Sequence, residues 1–140
     1  MTQEQKELLL KDLCSRLPYG VKCEVIKRRI DGEMVFIRNG PRALELTIND
    51  FKELVTNNLY EIKPYLFPLS SMTEEQKKYI NDRWGVNENF DFEIDPNWGK
   101  YFVELCDVVD FINWCYENHL DINRLIPKDL VIDATDLNIY

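Results

Sequence analysis

With 140 residues, of which 45% are hydrophobic, 12% aromatic and 30% charged, the chain is sized and composed for one folded domain and is too rich in apolar side chains for disorder. No apolar run approaches the roughly 20 residues that a membrane-spanning helix requires, and the opening MTQEQKELLLKDL reads as an amphipathic helix, not a secretory leader, so no membrane partner is expected and nothing supports an oxidising compartment. The net charge of −8 is lopsided: residues 1–81 carry 13 basic and 12 acidic side chains, residues 82–140 carry 4 basic and 13 acidic. That imbalance argues against nucleic acid as the partner of the whole protein.

In chain order, residues 3 to 17 have apolar side chains at helical spacing (Leu8, Leu9, Leu10, Leu13, Cys14, Leu17), and Pro18-Tyr19-Gly20 ends that helix. Val21 to Ile30 reads as a strand whose alternation slips near Ile26, which a β-bulge there reconciles. Asp31-Gly32 is a hairpin turn, because both residues tolerate positive φ, and Met34 to Arg38 is the return strand. Asn39-Gly40-Pro41 turns the chain again into Ala43 to Ile48, where Leu44, Leu46 and Ile48 alternate with polar residues as a third strand. Asn49 is the expected cap of a helix that places Phe51, Leu54 and Val55 on one face.

The segment EIKPYLFPLSSMTEEQ, residues 61–76, has the strongest local signature. Pro64 and Pro68 each fix φ near about −65° and bias the preceding residue away from helix, so Lys63 to Leu69 is expected to be an extended connection. Thr73 and Gln76 then form a capping box at the start of a helix from Glu74 to Trp84, with Gly85 placed to stop it. Residues 86–97 are acidic, with Phe90, Phe92 and Ile94 at strand spacing, consistent with an edge strand or a loop held by its aromatics. Tyr101 to Asn118 reads as a helix that is apolar over most of its surface, and Leu130-Val131-Ile132 as a short strand in the tail. Strands followed by helices give an α+β fold: one domain over residues 1–140, a small antiparallel meander packed by N-terminal and C-terminal helices.

Few residues point to chemistry. Cys14, Cys23, Cys106 and Cys115 form no C-x-x-C pair and are expected to be buried, reduced thiols. Cys115 and the only histidine, His119, are four residues apart, the spacing of a thiolate–imidazole pair on a helix, but His119 falls where a histidine ordinarily meets the free carbonyls of a helix end. Acidic pairs (Asp107 with Asp110, Asp91 with Glu93, Asp133 with Asp136) have no spacing that defines an acid–base site or a calcium loop. No phosphate-binding glycine loop or nucleophile elbow occurs, so no cofactor, no metal and no catalytic residue is expected. Lys27, Arg28, Arg29, Arg38 and Arg42 form a basic patch on the hairpin, suited to a nucleic-acid groove or to a charged, solvated sheet edge. Tyr65, Phe67 and Met72 are either an interaction surface or plugs of the core.

Three blocks, LCSRLPYGVKCEV, KPYLFPLSSMTEEQ and VVDFINWCYENHLDINRLIPKDLVIDA, together resemble a family of small proteins from gut anaerobic bacteria and their prophages. The resemblance covers about half of the chain and carries no activity, cofactor or catalytic residue. It implies a mobile-element setting and a cytoplasmic location. The resulting expectation is a non-enzymatic accessory protein that binds a protein partner. Two alternatives stand beside it: an acidic mimic of DNA built from residues 82–140, and a nucleic-acid binder that uses the basic hairpin.

Overall fold

The structure is a computed structural model that describes residues 1–57, 59–87 and 105–140. Helix α1 (Gln3–Arg16) starts on a reciprocal cap: the Gln5 backbone N–H donates to Thr2 Oγ1, and the Thr2 N–H donates to the Gln5 side chain. The same device opens α2 (Ile48–Thr56), with Thr47 and Asp50, and α3 (Glu74–Trp84), with Thr73 and Gln76. Each box satisfies two backbone donors that a helix start leaves unpaired. The cap of α2 is therefore Thr47 and not Asn49, because only Thr47 has an acceptor-bearing residue three positions on that reaches back to it. Gly85, at φ 65°, ends α3 in the left-handed conformation expected of it.

The fold is α+β. Strand β1 (Lys22–Arg28) is central and pairs antiparallel with β2 (Met34–Arg38) and, on its other side, with β4 (Tyr60–Leu66). The two-residue β3 (Leu44–Glu45) meets Lys22 and Cys23 on the same side of β1 as β2. The tail strand β5 (Ile132–Asp133) runs parallel to β4 at Tyr65 and Leu66, so the sheet is mixed, with order β2-β1-β4-β5. A register shift does fall between Val25 and Ile26, but the extra residue is on the partner strand: Val25 faces Arg38 and Ile26 faces Phe36, which leaves Ile37 of β2 as the bulge, while β1 pairs with β4 without a break.

Three expectations need correction. Ala43 to Ile48 is not a full third strand; pairing stops at Glu45, Leu46 turns into the core, and Ile48 begins α2 with 78% of its surface exposed. Lys63 to Leu66 is more than a connection, since it belongs to β4, a central strand, despite Pro64. The missing N–H is tolerated there because β5 pairs with β4 only at Tyr65 and Leu66, past the proline. Cys14 is exposed, whereas Cys23 and Cys115 are buried free thiols; one step from buried Leu13 turns a helical side chain by about 100°. The strand-like pattern of Phe90, Phe92 and Ile94 and the side chain of Cys106 lie outside the described residues.

The main core joins Leu9 and Leu13 of α1 to Val25 and Ile62 of the sheet, with Leu54 of α2 and Leu125 of the tail. A second cluster packs α3 against α4 (Leu105–Glu117) through Ile80, Phe111 and Cys115. Within the buried stripe of α1 lies an ion pair: Arg16 Nε donates to Asp12 Oδ2 at 2.6 Å, both side chains fully buried. Arg16 Nη2 also donates to the Leu120 carbonyl at 2.8 Å, and Asn123 Nδ2 donates to the other Asp12 oxygen at 2.7 Å. The last residues close the same end of the sheet. The Tyr140 hydroxyl accepts from the Lys22 N–H and donates to the Tyr65 carbonyl, while its ring stacks on His119 with centroids 3.7 Å apart.

Candidate functional site

The opposite end of β1 has a different character. The turn from Arg29 to Glu33 closes through Gly32 N–H to the Arg29 carbonyl, with Gly32 at φ 87° and Asp31 Oδ1 accepting from the Glu33 N–H. This geometry pushes Ile30 into solvent, 98% exposed, with exposed Lys27, Arg28 and Arg29 immediately before it. The base of the hairpin is anchored by the Arg28 N–H, which donates to the Leu59 carbonyl at 2.7 Å. Lys27 Nζ lies 5.5 Å from the centre of the Tyr60 ring, a cation–π distance.

Two depressions meet at this point. A groove of about 410 Å³ lies between the start of α1 and the sheet, with Met34, Leu54, Leu59 and Tyr60 as its apolar lining and Lys6 and Arg28 as its cations. An open cleft of about 610 Å³ runs beneath the turn from Lys27 to Asp31, and the two share Arg28 and Leu59. Both volumes fall within the ordinary size of ligand-binding clefts, roughly 300–1,000 Å³. Among the described residues, β2 pairs with β1 alone, so the far side of β2 offers backbone donors and acceptors next to Met34.

The basic patch is only partly retained. Lys27, Arg28 and Arg29 stay on the hairpin surface, with Arg29 in an exposed pair with Glu33. Arg38 is removed from the patch, because its guanidinium clamps Asp50 at the start of α2. Burial pushes the Asp50 carboxyl upward, but hydrogen bonds from Arg38 and Thr47 outweigh it and hold the group below its usual range. Arg42 is exposed on the short turn Gly40–Arg42, away from the hairpin tip in sequence.

Of the suggested aromatic surface, Tyr65 and Met72 are buried, at 2% and 5% exposure, and Phe67 is half-buried. Tyr65 is a core plug whose hydroxyl accepts the Gly40 N–H at 2.7 Å. Phe67 continues the sheet: its N–H donates to the His119 carbonyl and its own carbonyl accepts from Asp121. Tyr65 and Met72 are therefore core residues, and of the three only Phe67 keeps part of its surface exposed.

Cys115 and His119 lie near one another in sequence, yet their surroundings do not favour a thiolate. Burial pushes the Cys115 thiol up to about 12, with the charge of Arg16 offsetting only part of that. Burial, helped by the charges of Arg16 and Lys22, pushes His119 down to about 4. His119 has φ 56° just past the end of α4 and packs on Tyr140. Asp121 is buried as a backbone acceptor for Leu125 and Ile126, and Asp133 accepts from Thr135 in a tail turn. Among the described residues no group of three or more histidine, cysteine, aspartate or glutamate side chains is placed to hold a metal ion. Among the same residues, no helix is long and apolar enough to cross a membrane.

Comparison of the chain with protein-family models, with curated proteins and with solved structures finds no match. The site thus stands on its own geometry. Sequence reasoning missed Lys6, Met34, Leu59 and Tyr60 as its lining. The available signal was the run KRRID, where a large apolar residue sits inside a turn otherwise made of charged side chains.

Proposed function

We propose that this is a non-enzymatic interaction protein whose working surface is the β1–β2 hairpin, the free side of β2 and the groove at its base. One observation carries the reading: Ile30, almost wholly exposed, stands next to three cations in the wall of the open cleft that adjoins the groove through Arg28 and Leu59. A lone exposed apolar residue means nothing. Here Ile30 is joined by exposed Met34, which lines the groove, and by exposed Leu59, which lines both depressions. Apolar anchors rimmed by charge are the arrangement of a protein-binding surface. An intracellular setting in a phage or integrated element goes with the family resemblance and forms part of the same proposal.

The test is a photo-crosslinking amino acid at Ile30, with an equivalent probe at Lys78, exposed on α3, as control. In cells of the natural host, the Ile30 probe is expected to yield a defined protein adduct that the Lys78 probe does not. Absence of an adduct at Ile30 would sink the proposal. So would a purified protein that turns over a substrate and loses that activity on mutation of Cys115 or His119.

The exposed run Lys27, Arg28 and Arg29 favours one second reading, a nucleic-acid contact through the hairpin. It predicts retention of DNA or RNA at low salt, falling steeply as salt rises, and lost on changing Arg28 and Arg29 to alanine.

A further inference from the structure

The groove between the start of α1 and the sheet has a lining that selects a ligand, apart from any protein at the hairpin. Its volume of about 410 Å³ suits a small molecule. Buried Ile26 and Leu54, half-buried Tyr60 and exposed Met34 and Leu59 make its apolar lining. Two cations enter that lining from different elements, Lys6 from α1 and Arg28 from β1.

The neighbours of both cations leave them without an acid. On a helix, side chains three and four residues apart are the ones that meet; for Lys6 these are Thr2, Gln3, Leu9 and Leu10. Across the sheet Arg28 faces Met34 on β2, and its N–H donates to the Leu59 carbonyl on the other side. Among the described residues neither cation forms an ion pair, and Lys6 is half-buried all the same. Glu61 is the acidic side chain of the described lining. It lies 3.9 Å from Lys63, which is itself joined to Asp129 at 3.1 Å.

This arrangement excludes as well as admits. The apolar lining gains nothing from an inorganic anion, whereas an alkyl chain or ring laid on it removes apolar surface from water. Two cations against one carboxylate leave a single net positive charge, which one acidic head balances and a polyphosphate exceeds. A cationic ligand would be set beside Lys6 and Arg28, and juxtaposed like charges are costly.

We infer that the groove at Arg28 binds a small amphipathic carboxylate, its acidic head held by Lys6 and Arg28 and its apolar body over Met34, Leu54 and Leu59. The inference goes beyond the interaction reading, since it needs no partner protein at Ile30.

The experiment is an NMR titration of the full chain, carrying methyl-labelled methionine, with decanoate, decyltrimethylammonium and acetate. The chain has three methionines: Met1 and Met34 line the groove, whereas Met72 is buried in the second core cluster. Decanoate is expected to shift the Met1 and Met34 methyl signals saturably and to leave Met72 in place. The other two probes should bind about tenfold more weakly, or less well still. Arg28→Glu and Lys6→Glu should each weaken decanoate by about tenfold or more, and Lys78→Glu should leave it unchanged. Acetate binding as well as decanoate would reduce the site to surface ion pairing and overturn the inference. Equal binding of decyltrimethylammonium would reduce it to apolar contact, with the same consequence. A saturable shift at Met72 in place of Met34, or no shift at Met34 up to about 1 mM decanoate, the weak end of specific affinity, overturns it too. So does a chain that sediments with phosphatidylglycerol vesicles while free decanoate leaves Met34 unmoved, which assigns the groove to a lipid surface. An Ile30 crosslink that persists through any of these failures leaves the interaction reading standing.

Discussion

The two ends of β1 are built on opposite principles. At Lys22 most polar groups are tied: its N–H donates to Tyr140, its Nζ donates to the Ile139 carbonyl at 2.7 Å, and Asp12, Arg16 and Asn123 form a hydrogen-bonded knot nearby. At Arg28 the cations and Ile30 project from the surface, and the apolar side chains beside them line open depressions. Burying charge is costly unless it is paired, so the first end commits its polar residues to holding the fold together. The second end commits little to the fold, and its residues remain available to something else. Substitutions at the first end should therefore change stability, and substitutions at the second should change binding.

The largest effect is expected from Asp12→Ala, which leaves the Arg16 guanidinium buried without its carboxylate. Loss of one partner of a buried pair costs about 3–5 kcal/mol, to be read from urea unfolding midpoints. Asn123→Ala removes only the amide on one Asp12 oxygen and should cost about 1 kcal/mol. Replacing the pair together, with Asp12→Leu and Arg16→Met, should recover most of the loss, because an apolar pair of similar volume needs no desolvation. A double variant as unstable as Asp12→Ala would show that Arg16 matters through its bond to the Leu120 carbonyl instead.

Acid should loosen the same end. His119 titrates near 6.5 when unfolded and is pushed down to about 4 by burial in the folded chain. Below pH 6.5 the unfolded state gains a proton that the native state refuses. The stabilisation is therefore complete above pH 6.5 and is lost as pH falls toward 4. Solvent screens the half-buried ring, so the loss is about 1–2 kcal/mol. Carboxylates titrate in the lower part of this range as well, so the informative quantity is the difference between the natural chain and His119→Asn, a residue that accepts φ 56°. A stability difference between the two chains that stays constant from pH 7 to pH 4 would contradict the account. Tyr140→Phe, which strips the hydroxyl from the Lys22 N–H and the Tyr65 carbonyl, should cost about 1 kcal/mol at any pH in this range.

What was readable in advance follows the range of the interactions. The capping box of Thr73 and Gln76, the stop at Gly85, the turn at Asp31-Gly32 and the slip near Ile26 are all set by residues within a few positions, and all are seen. The buried pair of Asp12 and Arg16 was not read from the sequence, because its burial depends on Leu120 and Asn123, more than a hundred positions away. Pro64 suggested a connection because local propensity speaks for it alone, whereas pairing with β1 decides the outcome. Of the candidate site, the cations were legible as a run of charge. The groove was not, since Lys6, Met34 and Leu59 come together only when α1, the hairpin and β4 are in place.

The smallest expected change in stability is also the sharpest probe of the comparison. Ile30→Lys places a fourth cation beside Lys27, Arg28 and Arg29 at a position 98% exposed. With no core contact to lose, the unfolding free energy should move by no more than about 0.5 kcal/mol, as for surface substitutions generally. An apolar anchor is nevertheless removed from the rim of the proposed site. A probe amino acid moved to Leu59, at the junction of groove and cleft, should then give a much weaker adduct than it gives with Ile30 intact. Were Ile30 only an exposed turn residue, stability and adduct yield would both be unchanged. Were it secretly part of the fold, stability would fall first, and the contrast between the two ends of β1 would fail at its plainest point.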